Sequence, residues 1–156
     1  MVRVMATGTF DILHLGHIKY LEEAKKLGDE LVVVIAHDEN VKKRKHSPIM
    51  PQETRRKIVE SLKVVDRAVN GKKGDMLEIV EEIKPDIIAL GYDQDVDEKE
   101  LERELKKRGL NVKVVRCSKY EGDDLNGTRR IIKKIIEKLE TKELYVGEEN
   151  EEDRDS

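Results

Sequence analysis

Apolar residues in this chain fall into short unbroken runs, separated by segments where they recur every three or four positions. Such a pattern predicts strands alternating with helices. Val2 to Ala6 reads as a first strand, and Leu-Val-Val-Val-Ile within Glu30 to Ala36 as a second with no polar residue to mark a wet face. Strands apolar on both faces belong to parallel sheets covered by helices. Further strands are predicted at Asp66 to Val69, Ile87 to Leu90 and Val112 to Val115. Tyr20, Leu21, Ala24 and Leu27 keep helical spacing until Gly28, and Gln52 to Leu62 forms a second helix with Ile58, Val59 and Leu62 inward. Met76 to Ile83 and about Glu98 to Arg108 follow as helices, the latter ended by Gly109. Asn126-Gly-Thr-Arg-Arg130 opens a final helix whose apolar face is Ile131, Ile132, Ile135, Ile136 and Leu139. This alternation defines an α/β chain with a doubly wound parallel sheet.

Length adds one constraint: 156 residues suit a single core. Residues 1–147 read as one domain, and the Glu- and Asp-rich stretch 148–156 as a disordered tail with nothing apolar to bury. Formal net charge is -3, which disfavours a nucleic-acid partner and leaves phosphate binding to locally placed positive groups. Cys117 is the single cysteine and has no internal disulfide partner. With no signal peptide and no apolar run of membrane length, the expectation is a soluble cytoplasmic protein without membrane contact.

Candidate chemistry concentrates at Thr7-Gly-Thr-Phe-Asp-Ile-Leu-His-Leu-Gly-His17, where the first strand hands over to the first helix. A helix start presents unpaired N–H groups and the positive end of the helix dipole, a ready site for phosphate. His14-x-x-His17 could also be a metal pair or purely structural. No third ligand at diagnostic spacing accompanies it, so no metal site is predicted. The basic run Lys42 to Lys45 lies in a loop after the second strand, where an open α/β sheet lines its ligand crevice. Arg55 and Arg56 occupy the first turn of the next helix, an unfavourable place for cations unless an anionic partner or ligand is near.

The string Gly-Thr-Phe-Asp-x-x-His-x-Gly-His resembles the signature of the nucleotidyltransferase superfamily related to class I aminoacyl-tRNA synthetases. Over residues 1 to about 136 the chain looks most like its small cytidylyltransferase-type members, which include glycerol-3-phosphate cytidylyltransferase and the archaeal FAD synthases. The resemblance implies a Rossmann-like HxGH nucleotidyltransferase fold. It also implies that His14 and His17 hold the triphosphate, that Lys43 reaches the α-phosphate, and that Arg55 belongs to the catalytic set. Thr9, Phe10, Asp93, Tyr120 and Thr128 would contact the nucleotide, with Asp11 a carboxylate near the site and Gly91-x-Asp93 the turn that cradles the base. The Arg-Thr-x-Gly-Ile-Ser-Thr-Thr string of the glycerol-phosphate enzymes is missing. Cys117 to Thr128 stands in its place, keeping only the hydroxyl of Thr128. Together with Gly91-Tyr-Asp-Gln94, that departure favours the archaeal FAD synthase type: adenylyl transfer from ATP to FMN, with CDP-glycerol formation from CTP as the alternative. Mg²⁺ or a similar divalent ion would accompany ATP. ATP and FMN are the expected partners, and a homodimer is left open.

The residues alone lead close to the same chemistry. Two helix ends fit for phosphate, a basic loop and no nucleophile triad suggest direct attack on an α-phosphorus, with catalysis by positioning and charge stabilisation. A nucleotide sensor would not need the catalytic lysine and arginine. A flavodoxin-like electron carrier would not need the histidine pair.

Overall fold

A computed structural model describes residues 1–44, 47–122, 125 and 127–144. Lys45, Asn126 and the tail 148–156, each named above, lie outside the described residues. Five parallel strands form one sheet: β1 (Arg3–Gly8), β2 (Glu30–Ile35), β3 (Arg67–Asn70), β4 (Ile87–Leu90) and β5 (Lys113–Arg116), in the order β3-β2-β1-β4-β5. β1 is central, with Ala6 opposite both Val33 of β2 and Ala89 of β4. The chain winds one way from β1 to β3 and returns to the other side for β4 and β5, which makes a crevice at the carboxyl ends of β1 and β4.

Alternation along each strand divides the core between two faces. Val4, Ala6, Leu31, Val33, Ile35 and Ala89 pack under Leu21 and Ala24 of α1 (Leu15–Lys25) and Val59 of α3 (Gln52–Glu60). Met5, Val32, Val34, Ile88 and Leu90 pack under α4 (Met76–Ile83) and α5 (Glu98–Lys107). The doubly wound sheet expected from sequence is the sheet observed, and the unbroken apolar run of β2 is buried throughout its last five residues because helices cover both faces.

Two expectations are corrected, and a third element is found uncovered. The basic run is not all loop: Asp38–Arg44 forms the short helix α2, whose first turn carries Asp38 and Glu39 where negative charge suits the helix dipole. Ile58 is not inward; it is 37% exposed, and the inward line is Arg55 and Val59, both buried, continued after the helix by the partly buried Leu62. The final helix, α6 (Thr128–Glu140), buries none of its residues fully, and Ile135, Ile136 and Leu139 are each at least 40% exposed. Its periodicity is that of an amphipathic helix, yet neither core cluster includes any of its side chains. No described helix is long and apolar enough to cross a membrane.

Candidate active site

At the carboxyl end of β1 the chain passes through Thr9–Leu13 into α1, and His14 takes the cap position with extended backbone. Its side chain does not cap the helix, nor does any side chain cap α6, which begins after Gly127. The starts of α4 and α5, by contrast, are capped by Asp75 and Asp97, which accept from Leu77 N and Glu100 N at 2.9 and 2.8 Å. Thr128 Oγ1 in the first turn of α6 donates to Ile12 O at 3.3 Å, which brings this second helix start against the loop that carries the histidines.

A ladder of rings fixes that loop. Tyr20 stacks on Phe10 (6.4 Å, 12°), Phe10 meets His17 edge to face (5.2 Å, 63°), and His17 stacks on His14 (3.8 Å, 27°). Phe10 is buried and its φ of 52° lies in the left-handed region, which costs a bulky residue energy that the surroundings must hold. Gly8 makes this fit possible, since a Cβ there would come within 2.8 Å of two Phe10 ring carbons. We expect Gly8→Ala to cost about 1 to 3 kcal/mol through overpacking and to lower activity with it, read by calorimetry and turnover. Tyr20, expected only as part of an apolar stripe, ties β1 to β4 as well: its hydroxyl accepts from Thr7 N at 3.2 Å and donates to Ala89 O at 2.6 Å. Burial pushes that hydroxyl well above the ordinary tyrosine range, so it stays protonated.

Arg55 is fully buried and spends its guanidinium on the protein. Nε donates to Met50 O (3.0 Å), one terminal nitrogen to Thr9 O (2.7 Å), the other to Ala36 O (3.0 Å) and to Asp38 Oδ1 (2.5 Å). The anionic partner that its helix-start position demanded is therefore Asp38; for Arg56 it is Glu53 and Glu60. Asp11, also buried, accepts from Ile49 N and Met50 N at 2.7 and 2.9 Å. One arginine and one aspartate thus pin the histidine loop, the end of β2 and the approach to α3 to each other. Sequence spacing does not reveal such a hub, because three of the four acceptors of Arg55 are backbone carbonyls, those of Thr9, Ala36 and Met50.

The remaining candidates divide. Thr9 is half-buried beside the loop, and the Phe10 ring lies beneath it, so the ring itself offers no open face to a nucleotide. Lys43 is exposed on α2. Asp93 is exposed in the turn after β4, which Gln94 ties to the end of β1 through Nε2 bonds to Thr7 O (3.0 Å) and Thr7 Oγ1 (3.3 Å). Half-buried Tyr120 folds over Gly122, where a Cβ would lie 2.0 Å from the tyrosine oxygen. Cys117 is buried at the end of β5, and burial, with Glu23 nearby, raises its thiol to about 11, so it is no nucleophile at neutral pH.

Strand order, crevice and histidine loop are those of a nucleotidyltransferase, and the chain belongs to the cytidylyltransferase-like family, which it matches over residues 5–147. It is 61% identical over 150 residues to the FAD synthase of Aciduliprofundum boonei, covering 96% of this chain and 99% of that protein. The FAD synthase of Archaeoglobus profundus is 54% identical over 142 residues, covering 91% of each chain. Among solved structures, one described as the lipopolysaccharide core biosynthesis protein from Thermoplasma volcanium GSS1 is 58% identical, with a TM-score of 0.76 over 78% of this chain and 99% of that one.

Proposed function

We propose that this chain is an FMN adenylyltransferase, which joins the AMP moiety of ATP to FMN and releases pyrophosphate. The observation that carries this is the high identity to proteins named FAD synthase over nearly the whole of both chains. In the reaction a phosphate oxygen of FMN attacks the α-phosphorus of ATP, the bond from that phosphorus to the bridging oxygen of pyrophosphate breaks, and FAD leaves with the AMP. No general base is needed, because a phosphate monoester with a second pKa near 6 is mostly dianionic at neutral pH. What the protein supplies is position and positive charge: His14, His17 and the start of α1 for the triphosphate, and Lys43 for the α-phosphate. Thr9, Asp93, Tyr120 and Thr128 stand as nucleotide contacts. Phe10 and Arg55 act from behind as positioning residues, since their side chains are turned into the protein.

Among the described residues no group of three His, Cys, Asp or Glu is placed to hold a metal ion. Mg²⁺ or a similar divalent ion would arrive on the triphosphate as part of the substrate. A homodimer would have the exposed stripe of α6 to pair through. A place in the cytoplasm, where ATP and FMN are available, completes the reading.

Offering FMN and glycerol 3-phosphate separately, each with ATP and with CTP, tests it. FAD from ATP and FMN is expected; CDP-glycerol without FAD would instead support the glycerol-phosphate alternative. Alanine substitution at Lys42, Lys43, Arg44 and Lys45 in turn should give one large loss of turnover, at Lys43, and three small ones. Removing residues 148–156 should leave melting temperature and turnover nearly unchanged, since the segment has no apolar surface to dock.

A further inference from the structure

Aromatic side chains are scarce here, four tyrosines and one phenylalanine, and those described are put to different uses. Phe10 and Tyr20 belong to the ring ladder, and Tyr120 folds over its own loop. Tyr92 does none of this. It is 51% exposed, and neither core cluster includes it. Single exposed aromatics are ordinary on protein surfaces, but three features set this one apart.

The first is its place. Tyr92 lies two residues beyond β4, in the turn that Gln94 fastens to Thr7 at the end of β1, so it stands at the crevice beside the histidine loop. Rigidity is the second. Arg116 donates to Gly91 O (3.1 Å), Gln94 O (2.6 Å) and Val96 O (2.5 Å) and pairs with Glu98, while Gly91 N donates to Gln94 Oε1 at 2.9 Å. The turn is thus held by polar bonds beneath it and does not depend on the ring for packing. The third is its surroundings: Lys119 Nζ lies 5.7 Å from the ring centroid, and an open depression of about 580 Å³ is lined by Tyr92, Gln94, Val96 and Arg116 together with the carboxylates of Asp93, Asp95, Asp97 and Glu98, so that it suits an uncharged flat ring and leaves the phosphates to the histidine loop. An ammonium near one face orients an aromatic ring at little cost. A flat ligand ring would gain from the other face.

We propose that Tyr92 is a substrate-binding residue, offering its ring as the stacking face for the flat heteroaromatic system of one of the two substrates, adenine or isoalloxazine. This rests on the adenylyltransferase reading above, because it is ATP and FMN that bring such rings to the crevice. The residue then sets the affinity for one substrate without taking part in the transfer. Loss of a stacking partner weakens binding on the order of tenfold.

Steady-state kinetics of the full chain, varying ATP and FMN separately, test this in the parent, Tyr92→Ala and Tyr92→Phe, with melting temperature as the folding control. Tyr92→Ala should raise KM for one substrate about tenfold, leave the other within about twofold and keep kcat within about threefold. Tyr92→Phe should restore the parent values. The substrate whose KM rises identifies the stacked ring. Unchanged values in Tyr92→Ala, an equal rise for both substrates, or no rescue by phenylalanine would overturn the assignment while leaving FAD formation by the parent in place. A parent that forms no FAD would refute the adenylyltransferase reading itself, and the assignment of Tyr92 to these rings would fall with it.

Discussion

His14→Ala and His17→Ala should each lower turnover about 100- to 1,000-fold with melting temperature nearly unchanged. Both imidazoles sit at the start of α1, stacked on each other. In the proposed reaction they face the β- and γ-phosphates of ATP, which gain charge as the bond to the α-phosphorus breaks. Removing one preorganised donor to a developing anion typically costs about 2.7 to 4 kcal/mol of barrier. The fold should survive because both side chains are half-buried and outside the two core clusters. Turnover within threefold of the parent in either variant would remove that histidine from the phosphate site.

The second large effect belongs to Arg55. Replacing it with Met keeps much of the buried volume but strips the donors from Thr9 O, Met50 O, Ala36 O and Asp38. Breaking a buried pair by removing one partner costs roughly 3 to 5 kcal/mol. Asp38 is a third exposed and can be rehydrated, so the lower end, about 3 kcal/mol, is expected. For a chain of this size that is a fall in Tm of roughly 6 to 12 °C. Arg55→Lys should recover only part of it, since an ammonium cannot match a planar fork aimed at four acceptors. Activity should fall as well, through the loss of the loop's anchor. The distinction from the histidines is the melting temperature: a stable Arg55→Met protein would place the guanidinium outside the hub.

These two outcomes also separate what the residues announce from what they conceal. The placement of the histidine pair was legible because it is local: a strand end, two imidazoles three apart and a helix start are all consecutive in the chain. β2 was legible for a similar reason, as five consecutive apolar residues have no dry place except between two layers of helix. Arg55 was legible as unusual, a cation at a helix start, but its purpose was not, because backbone acceptors on distant segments leave no mark in side-chain pattern. Ile58 and Arg55 exchange expected places for the same reason: hydropathy assigns the inward face to the isoleucine, while the network of carbonyls draws the arginine in. α6 shows the opposite limit. Its five aliphatic positions fix an amphipathic helix, yet periodicity says nothing of what covers the apolar side.

A single direct transfer from ATP to FMN leaves its mark in the stereochemistry at phosphorus. FMN and one diastereomer of ATP bearing sulfur on its α-phosphorus should yield the thio-analogue of FAD with inverted configuration, as one in-line displacement demands. Retention would contradict the account, since it requires two displacements and an adenylylated side chain between them.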